Sequence, residues 1–240
     1  MKAVQCYAPA SLENLRLVDL PEPAPPAAGQ ITVRIEAGSL NFHDYAVVTG
    51  RLPTAGDRMP LSDGAGRVVA LGEGVTDFAI GDLAMSLFFP LWVDGRLSAI
   101  ASTQVPGDGV EGYACETVTV PADWFTRAPR NYTASQAATL PCAAVTAWRA
   151  LVVNGRLKAG ESVLVLGSGG VSVFALQLAE AMGANVIATT SSSEKAEQLL
   201  ALGAKHVVNY RETPEWGEEV LKLTDGRGVD HVVEIGGATR

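Results

Sequence analysis

The turn Gly167-Ser168-Gly169-Gly170-Val171-Ser172 has the residue types and spacing of a phosphate cradle. The dinucleotide fingerprint is G-x-G-x-x-G, and its first two glycines are present. Gly167 allows the tight turn, and Gly169 lets a pyrophosphate approach the backbone. Ser172 holds the third position and is small enough for the following helix to pack on its strand. The N–H groups and dipole of that helix favour an anion at its start. A plain structural turn reads nearly as well from these residues alone, and methyl-donor-binding α/β folds carry similar turns. Placement after a strand, before a helix and inside repeated βα units is what makes the signal strong.

The end of the next strand bears on which dinucleotide is bound. An NAD site expects Asp or Glu about 20 residues on, bonded to the ribose hydroxyls. Here the chain reads Ala188-Thr189-Thr190-Ser191-Ser192-Ser193, and the first carboxylate is Glu194. Without the acid, nothing repels a 2′-phosphate, and the hydroxyls of Ser191 and Ser192 with the Lys195 cation can hold one. NADP(H) is the cofactor this pattern favours, although Lys195 also reads as an ordinary exposed helix residue.

These residues need rigid elements behind them. Ser162 to Leu166 is a continuous apolar run that reads as a strand, followed by a helix from Gly170 to Met182. The alternation continues with a strand at Asn185 to Thr190, a helix at Glu194 to Leu202 and a strand at His206 to Tyr210. A helix at Glu215 to Thr224 and a strand at Asp230 to Ile235 complete it. Ser191 with Glu194 reads as a capping box and Gly203 as a helix stop. Apolar strands alternating with helices predict a parallel sheet covered on both faces. Gly236-Gly237 would let the backbone approach the cofactor, and a simple turn explains them equally well.

The first 120 residues read differently, as strand-like runs such as Val33 to Ala37 and Gly66 to Ala70 broken by Gly and Pro. Pro21, Pro23, Pro25 and Pro26 form a stiff connection. Asn41 to Val48 is the best helix candidate there, and helical character begins at Thr133 and again at Ala143 to Val153.

Composition excludes several classes. With 48% apolar and 18% charged residues, the 240-residue chain is not a disordered segment. A net charge of −8 argues against a nucleic-acid partner. Cys6, Cys115 and Cys142 are far apart with no C-x-x-C, so reduced thiols in the cytoplasm are expected. The N-terminus has no long apolar core of a signal peptide, and Ala84 to Val93 is too short for a membrane span.

Asn41-Phe42-His43-Asp44, Asp63-Gly64-Ala65-Gly66-Arg67-Val68, Gly81-Asp82, Thr146-Ala147-Trp148 and the Gly167 turn occur in this order. In these motifs the whole chain resembles the medium-chain dehydrogenase/reductase superfamily, in its zinc-independent, quinone-oxidoreductase-like branch. The resemblance implies an α/β plus β fold. A GroES-like β-rich catalytic domain, residues 1–125, would precede a Rossmann NADP-binding domain, residues 126–240. It implies that Lys195 and Tyr210 contact the 2′-phosphate region and that Thr146 packs beside nicotinamide. Asn41, Asp44 and Tyr45 fall where metal-free members line the nicotinamide site, and Asp44 reads as orienting its neighbours. His43 falls where zinc-using members have a proton-relay hydroxyl; a proton-transfer role and a surface or phosphate-facing one are equally expected. His206 and His231 read as structural.

Zinc-using members place a Cys at position 41, His-Glu at 62–63 and a Cys or Asp at 142. Here those positions hold Asn41, Ser62, Asp63 and Cys142, one thiol and one carboxylate. A catalytic zinc takes three protein ligands and an open position, so no metal is expected. Without that Lewis acid, ordinary alcohol oxidation loses its activator, whereas hydride transfer to a quinone or an α,β-unsaturated carbonyl spreads the developing charge by conjugation. Asn41 would donate its amide N–H to that charge. The expected enzyme is therefore a zinc-independent NADPH-dependent oxidoreductase with a small-molecule carbonyl or quinone substrate. The alternatives are an NAD(P)-dependent alcohol dehydrogenase, or an NADPH-binding protein with little catalysis.

A dinucleotide sheet has strand order 3-2-1-4-5-6, and only four of its strands are found in the sequence. The expectation is a C-terminally truncated relative whose last two strands are missing. In related proteins the final strand also builds a dimer interface. A homodimer is thus allowed for a full-length form and not expected of this chain.

Overall fold

The computed structural model describes residues 1–236; Gly237 lies outside the described residues. The chain forms two compact units, Met1–Cys142 and Ala143–Arg240.

In the first unit, β1 (Lys2–Cys6) and β2 (Leu15–Asp19) pair antiparallel. Five further strands are β3 (Gln30–Ser39), β4 (Asp63–Leu71), β5 (Leu83–Ser86), β6 (Thr117–Pro121) and β7 (Phe125–Arg127). They form an antiparallel sheet in the order β6-β3-β4-β5-β7. Ile31, Val33, Val68, Phe78, Val118 and Phe125 are buried together against it. Gly66 faces Ile35 across the β3–β4 ladder, and a Cβ there would collide with the Arg34 carbonyl, so the two strands approach only because it is glycine. Three short helices are α1 (Phe42–Val48), α2 (Ala99–Ser102) and α3 (Ala134–Ala137). Segment 126–142 belongs to this unit: α3 packs on β3, β4 and β5, and Thr133 with Gln136 forms its capping box.

The second unit holds a parallel sheet of β8 (Ser162–Val165), β9 (Asn185–Thr190), β10 (His206–Asn209) and β11 (His231–Val233). Its order is β10-β9-β8-β11, so β9 and β10 lie to one side of β8 and β11 returns to the other. Consecutive strand residues point to opposite faces. Val163 and Val165 accordingly join one core cluster and Leu164 the other, which is why the run is apolar throughout. The helices are α4 (Val145–Trp148), α5 (Gly170–Ala181), α6 (Ser193–Ala201) and α7 (Trp216–Leu223). Ala147 and Leu151 pack with α5 on one face, and Val220 of α7 lies on the other.

The structure shifts some expected boundaries. The helix expected at Ala143 to Val153 is one α-helical turn, α4, between wider π-type segments Leu140–Ala144 and Arg149–Asn154. The expected Ser191–Glu194 box is not what caps α6. The Thr190 hydroxyl takes the Ser192 N–H at 3.3 Å, and the cap moves to Ser192, whose Oγ accepts the Lys195 N–H at 3.4 Å. Gly203 at φ +102° ends α6 as expected. One helical run, Ala134–Asn154, is long and apolar enough by composition to cross a membrane; Ala147 and Leu151 within it are buried in the second unit's core.

Candidate functional site

The second unit places the Gly167 turn at the C-terminal end of β8. Gly167 sits at φ +80°, a conformation that disfavours any Cβ, and its N–H donates to Thr189 Oγ1 at 3.0 Å. Ser168 follows in the turn, and Gly169 is the N-cap residue of α5. A Cβ on Gly169 would meet nothing within 4 Å, so the protein's own packing does not demand glycine there. The open space is what a pyrophosphate pressed against the backbone requires. Gly170 begins α5, whose first turn carries no acid. Val171 turns its side chain into the core and leaves only its backbone to the turn. Ser172 is buried, and its Oγ donates to the Leu166 carbonyl at 2.8 Å. That bond ties α5 to the strand end, where glycine would give contact alone.

At the end of β9, Thr189 and Thr190 are buried and Ser191, Ser192 and Lys195 follow. The Tyr210 N–H donates to the Thr190 carbonyl at 3.0 Å, which brings Tyr210 to the same corner. Ser192 Oγ is engaged as the helix cap. The sequence reading missed Glu212. Its Oε1 accepts from Asn209 Nδ2 at 2.7 Å and lies 3.4 Å from Ser193 Oγ, so this corner does hold a carboxylate. No local pattern marks it, because its place beside the Ser193 hydroxyl depends on β9 and β10 lying side by side. Thr146 is exposed on α4, and the Gly236 N–H donates to Glu234. His231 Nε2 lies 3.0 Å from Glu161 Oε2.

The first unit gathers the other candidates around α1. Asn41 is its N-cap, with its N–H donating to Asp44 Oδ2 at 2.7 Å. The second Asp44 oxygen accepts the Ser62 N–H at 2.9 Å. Asp44 is 3% exposed and joins α1 to the residue before β4. The Asn41 amide donates to Ser62 Oγ at 3.2 Å and to Asp63 Oδ2 at 2.9 Å. Both amide hydrogens are thereby committed, and neither is left for a substrate oxygen unless a bond is exchanged. Asp63 is 0% exposed, and the same oxygen accepts the Cys142 N–H at 3.2 Å. Burial pushes its carboxyl up to about 7, against the opposing bonds from Asn41 and Cys142. Burial, with Asp63 and Asp44 nearby, pushes the Cys142 thiol up to about 12.

Positions 41, 62, 63 and 142 therefore converge as a hydrogen-bonded network. They do not fit a catalytic zinc: an amide N–H points at the carboxylate, Ser62 is a poor ligand, and one thiol and one carboxylate fall short of three ligands. Among the described residues, no group of three or more His, Cys, Asp or Glu could hold a metal.

His43 stands on the other side of α1. Its Nε2 lies 3.4 Å from Asp108 Oδ2, its Nδ1 3.8 Å from Asp44 Oδ1, and Phe88 meets the ring edge-on at 5.3 Å. Burial pulls its pKa down, but Asp44 and Asp108 outweigh burial and hold it above the ordinary value. Phe88 and Asp108 lie in segment 85–110, whose course the sequence does not reveal. Tyr45 is half-exposed, with the Arg51 guanidinium 5.2 Å over its ring. Asn41, Asp44 and Tyr45 also line an apolar cavity of about 400 Å³ with Leu12, Leu15 and Val48.

Comparison with known proteins follows the same division. The alcohol dehydrogenase GroES-like domain family matches residues 27–130, and the zinc-binding dehydrogenase family matches residues 170–240. A zinc-type alcohol dehydrogenase-like protein of Schizosaccharomyces pombe is 43% identical over 213 residues, 87% of this chain and 62% of that protein. The chain thus spans less than two thirds of that relative's length. A crystal structure of an NAD-dependent alcohol dehydrogenase is similar at TM-score 0.87 and 36% identity, covering 100% of this chain and 72% of that one. Escherichia coli quinone oxidoreductase complexed with NADPH is similar at TM-score 0.82 and 26% identity, covering 100% of this chain and 67% of that one. A GroES-like domain, a nucleotide-binding parallel sheet and these relatives agree, and the chain belongs to the medium-chain dehydrogenase/reductase superfamily.

Proposed function

We propose that the protein is an NADP(H)-dependent oxidoreductase that delivers hydride to a quinone or an α,β-unsaturated carbonyl without zinc. The observation that carries this reading is the Asn41–Ser62–Asp63–Cys142 network, in which hydrogen bonds stand where a zinc donor set would be needed. The nicotinamide supplies the hydride. The chain's own residues bind and orient: the Gly167 turn and the start of α5 receive the pyrophosphate, and Lys195 and Tyr210 receive the 2′-phosphate region. Thr146 and Gly236 approach the nicotinamide half. His43, beside Asp44 and Asp108, supplies the proton that completes the reduction. A conjugated acceptor suits such a site because its oxygen takes up the charge without a Lewis acid.

Glu212 favours a second reading. A carboxylate at the corner of β9 and β10 suits a free ribose hydroxyl better than a phosphate, which makes NAD(H) the competitor. An NAD-dependent alcohol dehydrogenase among the similar structures points the same way. Because the chain spans 62% of its Schizosaccharomyces relative, catalysis is itself part of the proposal, and cofactor binding without turnover is the outcome that would replace it. The test is one purified sample carried through three measurements. Metal analysis should find no stoichiometric zinc, and fluorescence titration should find NADPH bound more tightly than NADH. A panel of quinones and enals should consume NADPH. One tightly held zinc per chain overturns the metal-free reading, and equal affinities overturn the NADP preference.

A further inference from the structure

We propose that Asp108 is the positioning residue for His43, fixing the imidazole through Nε2 and keeping the proton on it. The inference rests on the reductase reading for its purpose, but the pairing itself stands on geometry. Asp44, the neighbour of His43 on α1, makes no hydrogen bond to the ring. Its Oδ1 stays 3.8 Å from His43 Nδ1, beyond hydrogen-bond distance, while its two oxygens accept the N–H groups of Asn41 and Ser62. That nitrogen is buried with no hydrogen-bond partner among the described residues. Only Nε2 has one, and it is Asp108 Oδ2 at 3.4 Å. Phe88 closes the ring's edge, so rotation about the side chain is restrained on that side.

The charges around His43 all favour its cationic form. Asp44 faces it from α1 and Asp108 from the loop after α2; Asp63 on β4, whose carboxyl burial pushes up to about 7, is largely protonated below that pH. Asp44 and Asp63 are buried, held by backbone bonds and fixed in place. Asp108 is more exposed, with 31% of its side chain open to solvent. A carboxylate on the solvent side can therefore keep the imidazolium charged, and a reacting anion can replace it. In the reduction, hydride adds to the β-carbon of the acceptor and the π electrons move to the carbonyl oxygen. The Nε2–H bond of His43 then breaks, its proton forms the new C–H bond at the α-carbon, and neutral imidazole remains to be recharged from water. Asp108 takes no proton in this sequence.

The test is the ¹⁵N NMR titration of His43 in the 240-residue protein, with its signals assigned by His43→Gln. Asp108→Asn should move the His43 midpoint to lower pH, and Asp108→Glu should restore much of the shift. An unmoved midpoint in Asp108→Asn overturns the proposal, whatever happens to activity. A second measurement uses NADPH and an enal. Asp108→Asn should lower kcat about tenfold above the new midpoint and leave KM nearly unchanged, with the falling limb of the pH profile displaced to lower pH. A moved midpoint in a protein that reduces no acceptor supports the pairing and rejects the reductase reading, so the two failures are distinguishable.

Discussion

The Gly167 turn of the second unit and the α1 cluster of the first are built on opposite plans. The turn works through backbone: a positive φ at Gly167, an open face at Gly169 and the first N–H groups of α5. Its residues are consecutive, and the strand before it and helix after it hold it in place. The α1 cluster works through side chains. Asn41, Asp44, Ser62, Asp63 and Cys142 come from loops and elements up to 101 positions apart and depend on one another's hydrogen bonds. A backbone site fails at one residue when its conformation is denied, whereas a side-chain network fails by redistribution, because each lost bond leaves a buried partner unsatisfied.

The largest expected effect breaks the backbone site. Gly167→Val puts a β-branched residue at φ +80°, a strain on the order of 1–3 kcal/mol. Fluorescence titration should show NADPH affinity reduced roughly tenfold or more, with the first unit's α1 signals unchanged by NMR. Next comes the network. Asp63, held at about 7, carries more proton folded than unfolded, so its contribution to stability is present at low pH and is lost as pH rises toward 7. The melting temperature of the wild type should fall between about pH 4 and 7, and Asp63→Asn should flatten that slope. A steeper slope in the variant would mean that the buried acid is not the titrating group.

Smaller effects refine the contrast. Ser172→Ala removes one buried bond from α5 to the Leu166 carbonyl and should cost about 1 kcal/mol in urea unfolding of the second unit. The smallest expected change is at the 2′ corner. Lys195→Ala should weaken NADPH roughly threefold and leave NADH unaffected, since the side chain is exposed and screened. Glu212→Gln should move the preference the other way, toward NADPH. If Glu212→Gln changes neither affinity, the carboxylate belongs to the turn alone.

Much of this could be read from residues in order. The βα alternation, the sheet of four parallel strands and the Gly167 turn rest on local periodicity and on glycine's freedom at one φ, and each is written within a few positions. Asn41 as the start of a helix was legible for the same reason. Glu212 was not, because its meaning depends on β9 and β10 lying side by side. The cap of α6 slid by one residue because the Thr190 hydroxyl, fixed by its strand, claimed the Ser192 N–H first. The commitment of the Asn41 amide was likewise invisible: the residue type offers two donors, and only the approach of Ser62 and Asp63 shows that both are used.

Sequence by itself determined the elements, the parallel sheet and the glycine-rich turn that opens α5, since these follow from patterns a few residues long. The tertiary structure decided what surrounds α1: that Asp63 is sealed from water, that Asp44 braces the backbone and that Asp108 meets His43. The physical reason is that burial and the charge felt by a group depend on the neighbours folding brings to it. Those neighbours come from distant parts of the chain, and no spacing in the sequence records their distance.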